Sequence, residues 1–500
     1  MDNLIKSFER IRRQIKAYLY VLGMINWDSA TEAPKGCFEY RGKQVGVISE
    51  LLHQTLTSKE YIDCVNSLYK RIEDLEPIFA HEIFETKKKL DKILKIPAYE
   101  YVDYYILLSS SQEEWIKAKN NNDFGDFIPT LEKIVEYKRR FAKYLETDNL
   151  KDYDVLLDDY EPGFTTKEYD EFFYLLKQEL LPLFKQVSKT KLEFDSSFNN
   201  LVYSHQKQKE FCEYLQDVFC FDKNRGLMKE SEHPFTTSFS TNDVRFTVKY
   251  HEDDFTSSIF SAIHELGHAI YAQQINPKLD DTFSGEGASI GFHESQSRLF
   301  ENMIGRSKIF WETHFPKLQE LFPDQLRDVT VLDYYKLINK SKPSLIRIEA
   351  DELSYPFHIM LRYDIEKGLI NGDYEVKDLE KIWNESFEKY FGIKVDNPSL
   401  GVLQDMHWSS GMFGYFPTYA LGSAYAAQIY KYMEKELDIK RILSSGKNLE
   451  INNWLKEKIH KYGSTIYPKE LITLITNEDF NPRYYINYLK DKYIDLYGLK

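Results

Sequence analysis

Residues 263–269 read IHELGHA and contain two histidines, His264 and His268, four positions apart. Side chains with this spacing share one face of an α-helix, so two imidazoles can close on one metal ion. The glutamate between them, Glu265, would then flank the metal, where it can act as a general base. The motif therefore predicts a zinc site with a catalytic carboxylate beside it.

The flanking sequence supports a helix at this position. EDDFTSSIF (252–260) has acidic residues and Thr/Ser where a helix begins, and Asn276-Pro277 provides a stop. Chance is a poor alternative, because 12 His in 500 residues and Glu at about 8% give roughly 0.02 such motifs per chain. A purely structural histidine pair also explains the pattern poorly.

A catalytic zinc needs a third protein ligand and an open position for water. The downstream candidates are Glu286, His293, Glu294 and Glu301. Glu294 would lie on a helix that follows a loop at 276–288, 26 residues beyond His268, and could reach back after a chain reversal. Glu286 lies in the loop itself, 18 residues beyond His268. Spacing alone does not distinguish Glu286 from Glu294 as the third ligand.

Away from this motif the chain has the pattern of a mainly α protein. From residue 1 to about 195, apolar residues recur three and four apart, as in Ile5, Phe8, Ile11 and Ile15. The 22 Gly and 16 Pro make up about 8% of the chain, against a usual level of about 12%, which favours long uninterrupted elements. The length of 500 residues leaves the number of domains open.

One segment has a strand pattern. The segment is HPFTTSFSTNDVRFTVKY (233–250), with a turn at Asn242-Asp243. Every second residue on either side of the turn is polar, namely Thr236, Ser238 and Ser240 before it and Arg245, Thr247 and Lys249 after it. We interpret it as a β-hairpin within a helical protein.

Charge and cysteine content restrict the classes of partner. The net charge of −14 and the isoelectric point near 5.5 repel phosphate backbones and anionic lipids, so neither nucleic acid nor membrane is expected as a partner. The 4 Cys form no CxxC pair, which argues against a disulfide framework and a thiolate zinc site. No stretch approaches about 18 uncharged apolar residues. We expect a soluble, cytoplasmic protein.

Several further segments are distinctive. Besides HELGH (264–268), they are HPFTTSFSTNDVRFT (233–247), GFHESQSRLFENMIGRS (291–307), IRIEADELSYPFHIMLRYDIE (346–366) and GVLQDMHWSSGMFGYFPTYALG (401–422). Less distinctive segments are INWDSATEAPKG (25–36), YEPGFT (160–165) and the last 50 residues. In these segments, and over nearly its whole length, the chain resembles the carboxypeptidase Taq family of zinc metallocarboxypeptidases.

The resemblance implies a function and a site. Peptides with a free C-terminus would lose residues one at a time, by metal-assisted hydrolysis without an acyl-enzyme. The third ligand would be Glu294, from the HES segment, and Glu265 would be the general base. Co²⁺ or Mn²⁺ could replace Zn²⁺ in the same N/O ligand set. One departure is Leu266, where the family commonly has Gly, but this is not a ligand position.

The resemblance also implies an architecture. It predicts a single catalytic domain over residues 1–500, with helical lobes around a deep substrate groove and a small sheet beside the zinc site at 264–294. It further predicts a homodimer. The hairpin at 233–250 fits that sheet, and its edge could bind an extended peptide by strand addition.

An enzyme that cuts at the C-terminus must recognise a free carboxylate, for which a bidentate arginine is the natural partner. The candidates are Arg245, Arg298, Arg347 and Arg362. We favour Arg347 and Arg245 equally, since they lie in the IRIEADELSY and DVR segments. The alternative for them is a salt bridge within the acidic framework at 349–352. Arg298, four residues from Glu294, is expected to be structural.

Hydrolysis also needs hydrogen-bond donors for the developing oxyanion. His407 and Tyr419 are the favoured candidates, because QDMHW and GYFPTYALG place a histidine and several tyrosines around a Gly-rich loop. Tyr415 is a weaker candidate for an oxyanion donor, and we expect it to contact the substrate instead. For His407, a packed core position is the alternative.

Two rival functions remain open at this point. The first is a zinc endopeptidase or dipeptidase on a similar helical scaffold, which would not need a carboxylate-binding arginine. The second is a binding protein without catalysis. Such a protein would have no reason to keep two histidines and two glutamates in this arrangement.

Overall fold

The computed structural model describes residues 1–499, and helices dominate it, as the sequence predicts. The α-helices are α1 (Asp2–Thr31), α2 (Phe38–Leu56), α3 (Lys59–Tyr69), α4 (Pro77–Lys95), α5 (Ala98–Asn121), α6 (Ile128–Leu145), α7 (Tyr153–Leu157), α8 (Thr166–Glu179), α9 (Leu181–Val187), α10 (His205–Val218), α11 (Phe255–Gln274), α12 (Ile290–Arg298), α13 (Lys308–Leu321), α14 (Pro323–Leu326), α15 (Val331–Ile338), α16 (Tyr355–Asn371), α17 (Leu379–Phe391), α18 (Phe416–Glu436), α19 (Ile439–Ser444), α20 (Leu449–Lys458), α21 (Pro468–Thr476) and α22 (Arg483–Tyr497). A π-helical segment, Leu299–Gly305, continues α12.

Short 3₁₀ turns link several of these helices. Their bounds are Lys35–Cys37, Ile72–Asp74, Phe124–Asp126, Ser197–Asn200, Pro277–Leu279, Arg347–Glu349, Val376–Asp378, Pro398–Leu400 and His460–Tyr462. Among the described residues, no helix is both long enough and apolar enough to cross a membrane.

The strands form one small sheet with the order β1-β3-β2. They are β1 (Gly226–Glu230), β2 (Thr236–Ser240) and β3 (Asp243–Val248). The predicted hairpin is present as the antiparallel pair β2 and β3, whereas β1, which runs parallel to β3, was not predicted. Val244, Phe246 and Val248 are buried, and β3 packs against α11. The sheet therefore lies beside the helix that carries the HELGH motif.

Helix α11 begins and ends where the sequence predicts. The side chain of Asp254 accepts a hydrogen bond from the backbone N–H of Ser257, which satisfies a free donor of the first turn. The helix stops at Gln274, just before Asn276-Pro277. Helix α12 begins in the same way, because Ser289 accepts from the N–H of Phe292. The two helices that supply the candidate ligands are thus both fixed at their N-termini by local hydrogen bonds.

The apolar core has two parts. The larger cluster extends from Ile96 to Tyr497 and surrounds α11, α12 and α18. The smaller one joins α1, α3 and α4 through residues such as Phe8, Val65 and Ile83. A cavity of about 530 Å³ lies between α1, α2 and α4 on one side and the loop that follows α11 on the other.

Candidate metal centre and active site

Three of the predicted residues converge on one point. His264 and His268 project from α11 and Glu294 from α12, and their ligand atoms all lie within 4.8 Å of one another. Glu294 Oε2 is 3.7 Å from His264 Nε2 and 3.6 Å from His268 Nε2. These separations are too long for hydrogen bonds but approach the about 3.3 Å between two ligands of a tetrahedral zinc ion. Two imidazoles and a carboxylate are also a ligand set that suits zinc, so the residues fit a bound metal.

Two glycines allow the helices to approach so closely. A Cβ atom at Gly267 would lie 2.6 Å from the carbonyl oxygen of Gln296, where α11 packs on α12. A Cβ atom at Gly422 would lie 2.6 Å from Cγ of Glu294, where α18 packs on the other side of α12. Larger side chains at either position would push Glu294 away from the two histidines.

A second layer of charged groups orients the candidate ligands. His264 Nδ1 is 2.9 Å from Glu301 Oε2, which leaves Nε2 directed at the centre. Arg298 donates to Glu294 Oε1 at 2.8 Å and to Glu301 Oε2 at 3.0 Å. Burial alone would raise the pKa of Glu294, but Arg298 and His264 lower it, and the net pKa lies well below the usual range. Arg298 thus has the structural position expected for it.

His268 has a different partner. Its Nδ1 lies 2.6 Å from Nδ1 of His293, so one of the two nitrogens carries the shared proton. Burial lowers the pKa of His293 to about 3, which keeps this ring neutral. His293 and Glu301, two of the four candidates for third ligand, therefore contact the histidines from outside. Glu286 is exposed on the loop, where it lines the 530 Å³ cavity, and the geometry favours Glu294.

Glu265 is buried next to the sheet. Its Oε2 accepts a hydrogen bond of 2.5 Å from the hydroxyl of Thr236 on β2. The side chain retains 7% exposure, which suits a carboxylate that must reach a water molecule in a closed site. Thr236 was not predicted from the sequence, although it lies within the HPFTT segment.

The predicted arginine Arg347 lies in a buried charge cluster. Asp405 accepts from Arg347 Nε at 3.0 Å and from Arg362 Nε at 2.6 Å. Burial would raise the pKa of Asp405, but Arg362 and Arg347 lower it well below its usual range. Two guanidinium groups therefore share one carboxylate, and the cluster keeps one surplus positive charge.

Arg245 has another environment. It makes a two-point ion pair with Asp243, at 2.7 and 2.8 Å, at the start of β3. Its guanidinium also lies over the rings of Phe239 and Trp27, 5.0 and 5.7 Å from their centroids. Its charge is thus matched within the hairpin, unlike the charge of Arg347.

The predicted donors lie together at the start of α18. His407 Nε2 is 3.3 Å from the hydroxyl of Tyr419, and the rings of Tyr415 and Tyr419 are 5.2 Å apart. Burial lowers the pKa of His407 to about 4, so the imidazole is neutral at pH 7 and can donate one N–H. Burial raises the pKa of Tyr415, and the charge of Glu294 raises it further. The hydroxyl of Tyr415 therefore stays protonated close to the metal centre.

The loop that carries His407 is fixed by a buried carboxylate. Glu366 accepts hydrogen bonds from Trp408 Nε1 and from the backbone N–H of Gly414, both at 2.8 Å. Tyr153 donates to the same carboxylate at 2.6 Å. These bonds hold both ends of the turn between His407 and Tyr415.

Glu161 fixes α12 in a similar way and was also not identified from the sequence. It accepts from the backbone N–H of Gly291 and from the hydroxyls of Ser289 and Tyr425, each at 3.0 Å. Glu161 belongs to the weakly similar YEPGFT segment, which was the available signal. Its carboxylate holds the start of the helix that presents Glu294.

Glu161 should make the stability of the protein depend on pH. Burial raises its pKa from an ordinary 4.5 to about 7, so the folded protein keeps a proton that the unfolded chain releases. This contribution to stability is complete below the unfolded pKa and is lost as the pH rises to about 7. Glu161→Gln cannot lose a proton. We expect the stability of wild type relative to this variant to fall by about 3 kcal/mol between pH 4.5 and 7.5.

Urea unfolding of both proteins at the two pH values measures this difference. Glu171→Gln is the matched control, because Glu171 is exposed on α8. Equal pH dependence in wild type and in Glu161→Gln would show that Glu161 does not titrate in this range.

The chain is similar to known proteins over almost its full length. The family model of the carboxypeptidase Taq (M32) metallopeptidases matches residues 7–493. Carboxypeptidase 1 of Bacillus subtilis is 41% identical over 495 residues, with 99% of each chain covered. The solved structure of the Pyrococcus furiosus carboxypeptidase is 33% identical, superposes with a TM-score of 0.94 and covers 99% of both chains. Metallocarboxypeptidase 1 of Trypanosoma cruzi is also 33% identical, with a TM-score of 0.94, over 99% of this chain and 100% of the other.

These matches confirm the resemblance inferred from the sequence motifs, and they imply a divalent metal and peptide substrates. The mainly helical fold with a small sheet is that of the solved relatives. The chain therefore belongs to the carboxypeptidase Taq (M32) family and is a metallocarboxypeptidase, a hydrolase of peptide bonds.

Proposed function

We propose that the metal is zinc, held by His264, His268 and Glu294, and that the protein removes single residues from the C-terminus of peptides. The convergence of these three side chains within 4.8 Å is the observation that carries the proposal. When bound, zinc would polarise the scissile carbonyl and lower the pKa of a water molecule.

The residues around the metal would each have a separate role in proton transfer, oxyanion stabilisation or substrate binding. Glu265 accepts a proton from the attacking water and then passes it to the nitrogen of the leaving amino acid. His407 and Tyr419 donate hydrogen bonds to the carbonyl oxygen as negative charge develops on it. Tyr415, next to Tyr419, contacts the bound peptide. Because water itself attacks, no acyl-enzyme forms.

The terminal carboxylate would bind at the Arg347 cluster. Arg347 and Arg362 carry two positive charges, and Asp405 neutralises one of them. The surplus charge is buried, so the attraction of a carboxylate is screened much less than at the surface. Arg347 also lies over the ring of Tyr419, 5.1 Å from its centroid, which places it next to the proposed oxyanion donors. Arg245, the other candidate, is already paired with Asp243.

The remaining expectations stay predictions. They are a single catalytic domain over 1–500, a substrate groove bounded by the edge of the sheet, a homodimer, a cytoplasmic location, and Co²⁺ or Mn²⁺ as substitutes for zinc.

A matched pair of peptides tests the proposed reaction. The substrates are an N-blocked peptide with a free C-terminus and the same peptide with a C-terminal amide, incubated with the metal-loaded protein and followed by mass. We expect stepwise loss of C-terminal residues from the free acid alone, because only that peptide supplies the carboxylate. Glu265→Gln, which cannot accept the proton, should abolish it.

Other product patterns would contradict the exopeptidase assignment. Internal cuts, or equal cleavage of both peptides, would indicate an endopeptidase, and hydrolysis of free dipeptides without cleavage of either longer peptide would indicate a dipeptidase. Full activity of Glu265→Gln would contradict its role as general base.

A further inference from the structure

The register of the sheet gives Thr236 two distinct surroundings. Just before β2 begins, the N–H of Thr247 on β3 donates to the carbonyl of Phe235 at 2.9 Å. Hydrogen-bonded and non-hydrogen-bonded pairs alternate between antiparallel strands, so Thr236, opposite Phe246, occupies a non-hydrogen-bonded position. Its backbone N–H and C=O therefore point away from β3, toward the outer side of the edge strand β2.

The side chain of Thr236 points at the helix instead. Its hydroxyl lies 2.5 Å from Oε2 of Glu265 and 3.2 Å from the backbone carbonyl oxygen of the same residue. Both acceptors belong to Glu265, so the hydroxyl stays close to this residue whichever oxygen receives its proton. The branched Cβ of threonine also restricts χ1, which limits the directions in which the hydroxyl can move.

We propose that Thr236 is a positioning residue for Glu265, an inference that rests on the proposed function. The contact occupies Oε2 and holds the carboxylate in one rotamer, so that Oε1 remains for the water. A glutamate has three rotatable bonds, and without this contact it would sample orientations that do not reach the water. A displacement of about 1 Å in a reacting group can cost about 10²-fold in rate.

The same residue links the general base to the substrate strand. An extended peptide that adds to the edge of β2 would bond to the backbone of Thr236, while the hydroxyl of Thr236 holds Glu265. The backbone of Thr236 would thus hold the peptide, and its hydroxyl would hold the general base Glu265. Loss of the hydroxyl should therefore affect the chemical step and leave substrate binding, which uses the backbone, unchanged.

The test compares Thr236→Val, Thr236→Ser and Thr237→Val in the full-length, metal-loaded protein. Valine keeps the shape of threonine without the hydroxyl, and serine keeps the hydroxyl. The side chain of Thr237 lies on the opposite face of β2, because successive residues of a strand alternate. Three quantities are measured: kcat and KM on the N-blocked free-acid peptide, bound metal per chain, and the thermal midpoint.

We expect Thr236→Val to lower kcat by about 10- to 100-fold, with KM within about twofold of wild type and the metal content and thermal midpoint unchanged. Thr236→Ser should recover most of the lost kcat, and Thr237→Val should behave as wild type. Three results would overturn the inference: wild-type kcat in Thr236→Val, equal losses in the Val and Ser variants, or a loss accompanied by lower metal content.

Glu265→Gln in the same assay separates this inference from the proposed function. Activity in Glu265→Gln would remove the general base and the role of Thr236 together. Inactive Glu265→Gln with fully active Thr236→Val would remove only the role of Thr236.

Discussion

Replacement of Glu294 by Gln is expected to lower the metal affinity and the rate of peptide hydrolysis by at least about 10³-fold each. The loss of a partner outside the ligand set typically costs about 10- to 100-fold in metal affinity, and the loss of a ligand should cost more. The neutral amide also leaves the buried charge of Arg298 without its 2.8 Å partner. Metal content after dialysis against a chelator, together with kcat/KM, measures both effects.

Glu286→Gln is the matched control for this change, because Glu286 is the other ligand that the sequence spacing allows. Its exposed position on the loop predicts normal metal content and activity. Glu301→Gln should be intermediate, with metal affinity about 10- to 100-fold lower, since Glu301 only orients His264. Loss of metal in Glu286→Gln together with retention in Glu294→Gln would show that the site is assembled differently.

The elements predicted correctly are those that local sequence determines. The HELGH helix follows from a spacing of four, an Asp cap and an Asn-Pro stop, all within about one helix length. The hairpin follows from alternation around one turn. Strand β1 was missed because GLMKE has no clear alternation, and because it pairs with β3 and not with β2, the strand that follows it in sequence.

The third ligand could not be identified from local sequence alone. Glu286 and Glu294 differ only in how the loop after α11 reverses, and this depends on close packing at Gly267 and Gly422. Gly422 lies more than 100 residues further along the chain, so no spacing rule contains it. Family resemblance indicated Glu294 because the motif around it was recognisable, and the packing supplies the physical reason.

The supporting carboxylates were missed for a related reason. Glu161, Glu366 and Asp405 all lie in segments that the resemblance had marked. Nothing in those segments identifies their partners, because Glu161 bonds to Ser289 and Tyr425 on distant parts of the chain. A buried carboxylate with several donors is a property of the assembled fold.

Replacement of Arg347 by Gln is expected to reduce kcat/KM on the free-acid peptide by about 10²- to 10³-fold, mainly through KM. Removal of one partner from a desolvated charge pair costs about 2–5 kcal/mol, and each 1.4 kcal/mol corresponds to about tenfold. The variant also leaves Asp405 with Arg362 alone, so the surplus positive charge of the cluster disappears. Steady-state kinetics on the free-acid and amidated peptides measure this loss and the selectivity between the two peptides.

Arg245→Gln distinguishes the two arginines that the sequence could not rank. Asp243 already matches the charge of Arg245, so a terminal carboxylate would have to compete with it. We therefore expect kcat/KM within about threefold of wild type, since partly exposed ion pairs contribute little. A large rise in KM for Arg245→Gln and none for Arg347→Gln would move the carboxylate site to the hairpin.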